Sequence, residues 1–236
     1  MALAGATLLA AATVTGRRRR LVFAGFVVLQ AWYVWDNFPF TGNHRYLELI
    51  FVGLFATLDP DEEEEGRLLL ASLQWLVIVV VVYSGLQKLV HGHYFRGQFL
   101  AYSLWRETFR TALTPLLPAA ELVRLTSYTG AVGDGPYAVS GPLFVLVSNA
   151  VWAVEIALGV LLAWRKSRPF AWVATLLFIA GTEIVAREFM FGVEFAFGTL
   201  LFARGDFARR AVWPAAAFLA LLVLIRAGIL PEVAFH

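Results

Sequence analysis

The stretch YSGLQKLVHGHY (83–94) places a lysine and two histidines directly after a long apolar run. A lysine in dehydrated surroundings can act as a general base, because desolvation disfavours its charged form. His91 and His93 could take part in the same chemistry or be solvated loop residues. They do not predict a metal site, since no carboxylate or third histidine lies at a ligand spacing beside them.

The choice of lysine at position 88 is informative because this chain otherwise uses arginine. Only two of its 19 basic residues are lysines, and the other, Lys166, lies in the basic turn RKSR (165–168). Lysine is the basic side chain that burial can strip of its proton. A lysine at a membrane surface can also extend its ammonium group to the lipid headgroups. Lys88 is therefore a candidate base or an interfacial anchor.

Polar residues interrupt other apolar segments as well. Asn149 and Glu155 lie within one long apolar stretch, and His44 precedes another. Ionisable groups inside a membrane are costly and normally face the bundle interior in pairs. Glu183 and Arg187 are four residues apart in the order that favours a helical ion pair, so a structural role suits them as well as a catalytic one. Glu155 could likewise hydrogen-bond a neighbouring helix.

The composition predicts an integral membrane protein. Of the 236 residues, 60% are hydrophobic and 15% charged, whereas soluble chains average roughly 45–50% apolar and about 25% charged residues. The net charge of +2 is too small to indicate nucleic acid as a partner. The absence of cysteine excludes disulfides, thiolate metal sites and redox chemistry through a CxxC pair.

Seven hydrophobic segments predict an all-α, polytopic helical bundle that forms a single domain over residues 1–236. A spanning helix needs about 20 apolar residues, so the second and sixth segments are short. The segments are 21–35, 45–58, 68–89, 142–164, 170–189, 189–203 and 211–230.

The basic clusters predict the orientation of this bundle in the cell membrane. If all seven segments span, RRRR (17–20), RKSR (165–168) and RGDFARR (204–210) share one side, which the positive-inside rule makes cytoplasmic. The basic N-terminal segment 1–20 is then inside and the C-terminus outside. The acidic stretch DPDEEEE (59–65) also falls inside, where we expect Asp61 or a neighbouring carboxylate to cap the third helix.

Lys88, His44 and the group Glu183, Arg187 and Glu188 all fall on the outer side in this topology. Residues 90–141 then form an outer-face loop. Within this loop, residues 106–125 resemble a broken amphipathic segment at the interface, which serves as a surface helix or as a lid over a lipid-side entrance.

Three blocks of the sequence resemble the vitamin K-dependent gamma-carboxylase family, whose transmembrane core is the horizontally transferred transmembrane (HTTM) domain. NHRYL (43–47) resembles the family's Asn-His-x-Tyr-Leu, and GLQKL (85–89) resembles its Gly-x-x-Lys-Leu. The stretch 146–172 resembles a family helix with one buried acid, here Glu155. Together the blocks cover most of residues 30–203.

The resemblance implies a reaction. A lysine at the position of Lys88 deprotonates a reduced quinone (menaquinone or a vitamin K-type hydroquinone), which reacts with O2. The resulting strong base removes a carbon-bound proton from a substrate, with CO2 as a further co-substrate in a carboxylation, and the quinone leaves as its epoxide. His44 belongs to the same site, and we expect it within about 10 Å of Lys88. Asn43, Tyr83, His91, Asn149, Glu155, Glu183, Arg187 and Glu188 are expected to line the site.

The sequence also departs from the family. Where the family has Phe-His-x-x-Asn in the fifth helix, this chain has TEIVARE (182–188), which puts the proton chemistry or the substrate in doubt. We expect no counterpart of the lumenal domain that holds protein substrates, so the partner would be a small molecule or a peptide. A non-enzymatic membrane subunit that keeps the fold remains the alternative. A transporter ranks last, because paired half-repeats are not visible.

Overall fold

The computed structural model describes residues 14–39, 43–106, 110–130, 135–186 and 189–203, and all regular structure in these ranges is helical. The all-α prediction is thereby confirmed for this part of the chain. The helices are α1 Gly16–Asp36, α2 Asn43–Thr57, α3 Glu63–His91, α4 Gln98–Trp105, α5 Arg110–Leu113, α6 Ala119–Thr126, α7 Pro142–Ala163, α8 Arg168–Ala186 and α9 Phe189–Leu200, with a 3-10 turn at Thr114–Leu116.

Six of the seven predicted segments coincide with helices, and the seventh, 211–230, lies outside the described residues. Two helices, α3 and α7, are long and apolar enough to cross a membrane, and α8 contains a shorter apolar stretch, Arg168–Thr182. Helices α2 and α9, with 15 and 12 residues, match the short second and sixth segments, whereas α1 extends over 21 residues. A bundle of seven spans is therefore not established by the described helices.

The helices pack around α3, whose most extensive partner is α7. Val77, Ile78 and Val81 of α3 are buried against Leu158 and Leu162 of α7. Helices α2, α8 and α9 complete this core, to which α1 is joined through α2.

Helices α4, α5 and α6 contribute to a second, smaller core beside the first half of α7. Leu104 and Leu125 are completely buried there against Phe144 of α7. The predicted break in the amphipathic segment is present, since Pro115 lies in the 3-10 turn Thr114–Leu116 and Pro118 precedes α6. A proline in the middle of a helix would remove a hydrogen bond and clash with the preceding turn, which explains the short elements.

The basic start of α1 and the acidic loop before α3 meet at one end of the bundle. Arg19 pairs with Asp61 at 2.9 Å, and Arg20 pairs with Glu65. The nearly fully buried carboxylate of Asp59 lies 3.8 Å from Arg19. The sequence placed both stretches on the same side of the membrane, and these contacts confirm that they share one end.

The prediction that Asp61 or a neighbouring carboxylate caps α3 is wrong. The N-cap residue is Glu62, and it makes no side-chain capping bond. Asp61 is instead engaged by Arg19, a residue 42 positions earlier in the chain. The charges of Glu63, Glu64 and Glu65 still favour the first turn, because anionic groups interact well with a helix N-terminus.

Candidate functional site

The central feature of the site is a buried ion pair between α3 and α7. Lys88 Nζ donates hydrogen bonds to both carboxylate oxygens of Glu155, each at 2.7 Å, and to Ser84 Oγ at 2.6 Å. The side chains of Lys88 and Glu155 are 20% and 12% exposed. The three bonds use all three donors of an ammonium group.

The helix geometry explains how Lys88 reaches both partners. Long side chains on a helix point back over the preceding turn, so Lys88 extends toward Ser84, four residues earlier. The pair also needs α3 and α7 to approach closely, and two glycines permit this. A Cβ at Gly85 would lie 2.8 Å from the carbonyl oxygen of Trp152, and one at Gly159 would lie 2.3 Å from Val82 Cγ2.

A tight loop at residues 92–97 closes the end of the site after α3. It has left-handed backbone at both ends, with φ of 70° at Gly92 and 67° at Gly97. Ser148 Oγ donates to the Tyr94 carbonyl at 2.7 Å, and Asn149 Nδ2 donates to the Phe95 carbonyl at 3.2 Å. These bonds attach the loop to α7, beside Glu155.

The ring of Tyr94 lies near the lysine, and further aromatic rings pack on the loop at residues 92–97. The Tyr94 ring lies 5.8 Å from Lys88 Nζ and stacks on Phe99 at 5.0 Å. Phe95 contacts Trp152 edge-on at 6.2 Å, and the Trp152 indole donates to Asn149 Oδ1 at 3.1 Å. An ammonium beside aromatic faces is favourable, and the same faces suit a flat ring as ligand.

Of the predicted site residues, Lys88 and Glu155 bond to each other, whereas Asn149 bonds to the loop at Phe95. Tyr83 lies on the exposed side of α3, with 59% of its surface accessible. His91 and His93 are also exposed, and their rings stack at 6.4 Å between centroids. Within the described residues, no group of three or more acidic or histidine side chains could hold a metal ion.

The remaining predicted residues lie outside what the structure describes. Asn43, His44 and Glu183 have a helical backbone, but their side chains are not described. Arg187 and Glu188 lie outside the described residues altogether. The expected distance between His44 and Lys88 is therefore untested.

Sequence reasoning missed Ser84 and Tyr94 as neighbours of Lys88. Ser84 could have been found, since a hydroxyl four residues before a buried lysine lies on the same helix face. It also missed a second buried pair, in which Arg45 Nη1 donates to Glu48 Oε2 at 2.8 Å and Gln30 donates to the same oxygen at 2.8 Å.

Comparisons of this chain with protein-family models, with curated proteins and with solved structures gave no match.

Proposed function

We propose that this chain is an integral membrane enzyme of the vitamin K-dependent carboxylase type. It would couple oxidation of a quinol by O2 to removal of a proton from a small-molecule or peptide substrate, with Lys88 as the base. The observation that carries the proposal is the lysine held by Glu155 and Ser84 at the end of a long apolar helix. An amine in this position can exchange its proton without contact with bulk water.

The apolar surface of the helices supports the membrane part of the proposal. The core helix of a soluble protein passes the same length and composition test, but it is mostly buried. In the most apolar windows of α3 and α7, only 33% and 22% of the residues are buried. Trp32, Trp35 and Phe170 are 72%, 82% and 79% exposed. Apolar surface of this extent is suited to lipid.

The residues around Lys88 fit a quinol in two respects. The amine supplies a base, and the ring of Tyr94, 5.8 Å from Lys88 Nζ, supplies a flat face beside it. When bound, the quinol would supply the oxygen-dependent strong base that the substrate reaction needs. The protein would hold the hydroxyl of the quinol at Lys88 Nζ and keep water away from it.

A second candidate function is a non-enzymatic membrane subunit, and one observation favours it. All three donors of the Lys88 ammonium are satisfied within the protein. A saturated ion pair next to the close contact at Gly85 is also what a purely structural link between α3 and α7 would require. In this reading, Lys88 has no free proton-accepting capacity.

Replacing each of the two lysines by methionine separates these functions. Lys88→Met removes the amine at similar bulk, and Lys166→Met is a matched control in an exposed turn. We expect purified parent protein and Lys166→Met to consume reduced menaquinone in the presence of O2, and Lys88→Met to lose this activity while remaining folded. Quinol consumption by Lys88→Met at the parental rate would rule out Lys88 as the base. If the parent itself consumes no quinol, the structural role is favoured.

A further inference from the structure

The partners of Lys88 Nζ suit both protonation states of the amine. An ammonium can donate to the Glu155 carboxylate and to Ser84 Oγ, as the distances of 2.7 and 2.6 Å indicate. A neutral amine needs at least one donor for its lone pair. A protonated Glu155 or the Ser84 hydroxyl could provide it, because a hydroxyl both donates and accepts.

We infer that Glu155 is the internal proton acceptor of Lys88, and that Ser84 is the positioning residue that stays bonded to the amine in both states. In this step one N–H bond of the ammonium breaks and an O–H bond forms on Glu155. The products are a neutral amine and a neutral acid, so no charge enters or leaves the pair and no further reactant is needed. This inference rests on the proposed function, because it explains how a base that is ion-paired at rest becomes able to accept a proton.

The surroundings of the pair make the neutral form accessible. Removing two charges from water is costly, and the attraction between the two charges offsets this cost only in part. Moving the proton along a hydrogen bond of 2.7 Å removes both charges at once. The close contact between Gly85 and Trp152 fixes the two backbones, so the distance between the two groups is held by the fold.

Few other ionisable groups face the pair in the described part of the chain. The phenol of Tyr94 belongs to the loop, with its ring 5.8 Å from Lys88 Nζ. His91 lies one turn further along α3, and its side chain is exposed. Proton exchange at Lys88 is therefore expected to depend on Glu155 first.

The scarcity of lysine allows a direct test. In a Lys166→Arg background Lys88 is the sole lysine, so protein grown with lysine labelled at Cε and Nζ gives one NMR signal in lipid nanodiscs. For the parent pair we expect a ¹⁵Nζ shift between the ammonium and amine values that stays constant over a range of pH. In Glu155→Gln the pH-independent intermediate shift should be absent. The ¹⁵Nζ signal should instead move in a single step from the ammonium value to the amine value as the pH rises.

Ser84 variants test the positioning role. Ser84→Ala should shift the equilibrium between the ion pair and the neutral pair about tenfold toward the neutral pair. The reason is that the hydrogen bond from the charged ammonium to Ser84 is stronger than the bond from the neutral amine. Ser84→Thr keeps the hydroxyl and should restore the parental shift. If Glu155→Gln fails to fold, Glu155→Asp keeps a carboxylate on a shorter stem and should retain an intermediate shift of different value.

A ¹⁵Nζ shift at the ammonium value across the whole pH range, in the parent and in Ser84→Ala, would overturn the inference. Equal shifts in Ser84→Ala and Ser84→Thr would remove Ser84 from it. The same samples are assayed for quinol consumption. An intermediate shift without quinol consumption would leave the proton exchange standing and refute the enzymatic proposal alone.

Discussion

Gly85 of α3 lies against the backbone of α7, so close that an added Cβ would be 2.8 Å from the carbonyl oxygen of Trp152. The same Cβ would also be 2.7 Å from Ile156 Cγ1. Ser84 precedes this glycine and Lys88 follows it, while Glu155 lies between the two α7 residues that it contacts. The ion pair is therefore built next to a close approach of the two helices, and its geometry depends on that approach.

Gly85→Ala should destabilise the protein and separate the ion pair. Because the nearest atoms include backbone, the helices must move apart, and overpacking of this kind costs about 1–3 kcal/mol. The measurement heats the protein in detergent to a series of temperatures. Size-exclusion chromatography then gives the fraction that remains folded at each temperature.

Gly53→Ala is the matched control for this substitution. Gly53 lies in α2, and a Cβ there would have no neighbour within 4 Å. Alanine is the better helix former by about 1 kcal/mol, so this variant should be at least as stable as the parent. Equal stability of Gly85→Ala and Gly53→Ala would contradict the importance of the close approach.

Single cysteines should report which ends of the helices share a side of the membrane. The chain contains no cysteine, so each introduced thiol is labelled without background. The start of α3 and the turn after α7 lie at the same end, since α3 and α7 run antiparallel and loop 92–97 is bonded to the start of α7. A membrane-impermeant thiol reagent applied to intact cells should therefore give the same labelling for Glu64→Cys and Ser167→Cys. The labelling of His93→Cys should be the opposite.

The positive-inside rule gives the expected direction. His93→Cys should react in intact cells, whereas Glu64→Cys and Ser167→Cys should react only after the cells are opened. Reaction of His93→Cys and Ser167→Cys under the same conditions would mean that α7 does not cross the membrane.

The sequence predicted the elements of this fold better than their contacts. The bounds of α3 and α7 follow from long apolar runs, a property of the local sequence, and the broken segment follows from Pro115 and Pro118. The capping role of Asp61 was wrong because Arg19, distant in sequence, takes the carboxylate. Local patterns carry no information about such a partner.

The ion pair of the candidate site was not predicted from the sequence. Lys88 and Glu155 were both singled out as site residues, but no pattern indicated that they bond to each other. Their pairing depends on the rotation of both helices and on the contact at Gly85, which are properties of the tertiary structure. Ser84 was overlooked for a simpler reason, since a lone serine in a helix usually has a local role.

Ser148→Ala should loosen the loop at residues 92–97. The Ser148 hydroxyl is completely buried and donates to the Tyr94 carbonyl at 2.7 Å. Its removal weakens the attachment of the loop to α7 and should cost about 1–3 kcal/mol. Trypsin should then cut faster after Arg96, which is exposed in this loop. Ser127→Ala, at an exposed serine, is the control and should leave the cutting rate unchanged. An unchanged cutting rate in Ser148→Ala would show that other contacts hold the loop.

Glu121 should stabilise the contact between α6 and Ser140, just before α7, in a pH-dependent way. Burial raises the pKa of the Glu121 carboxyl, but hydrogen bonds from Ser140 and the charge of Arg124 outweigh it and hold the pKa below the ordinary value of 4.5. A carboxyl with a lowered folded-state pKa contributes stability that is present above the ordinary pKa and lost as the pH falls through the folded one. Glu121→Gln, which resembles the protonated acid, should therefore be less stable than the parent at pH 7 and approach it at acid pH. The midpoint of thermal unfolding, measured from neutral pH to below the ordinary pKa, checks this, with the exposed Glu64→Gln as control. A difference between parent and Glu121→Gln that stays constant over this range would show that the carboxylate charge is not what holds Ser140 in place.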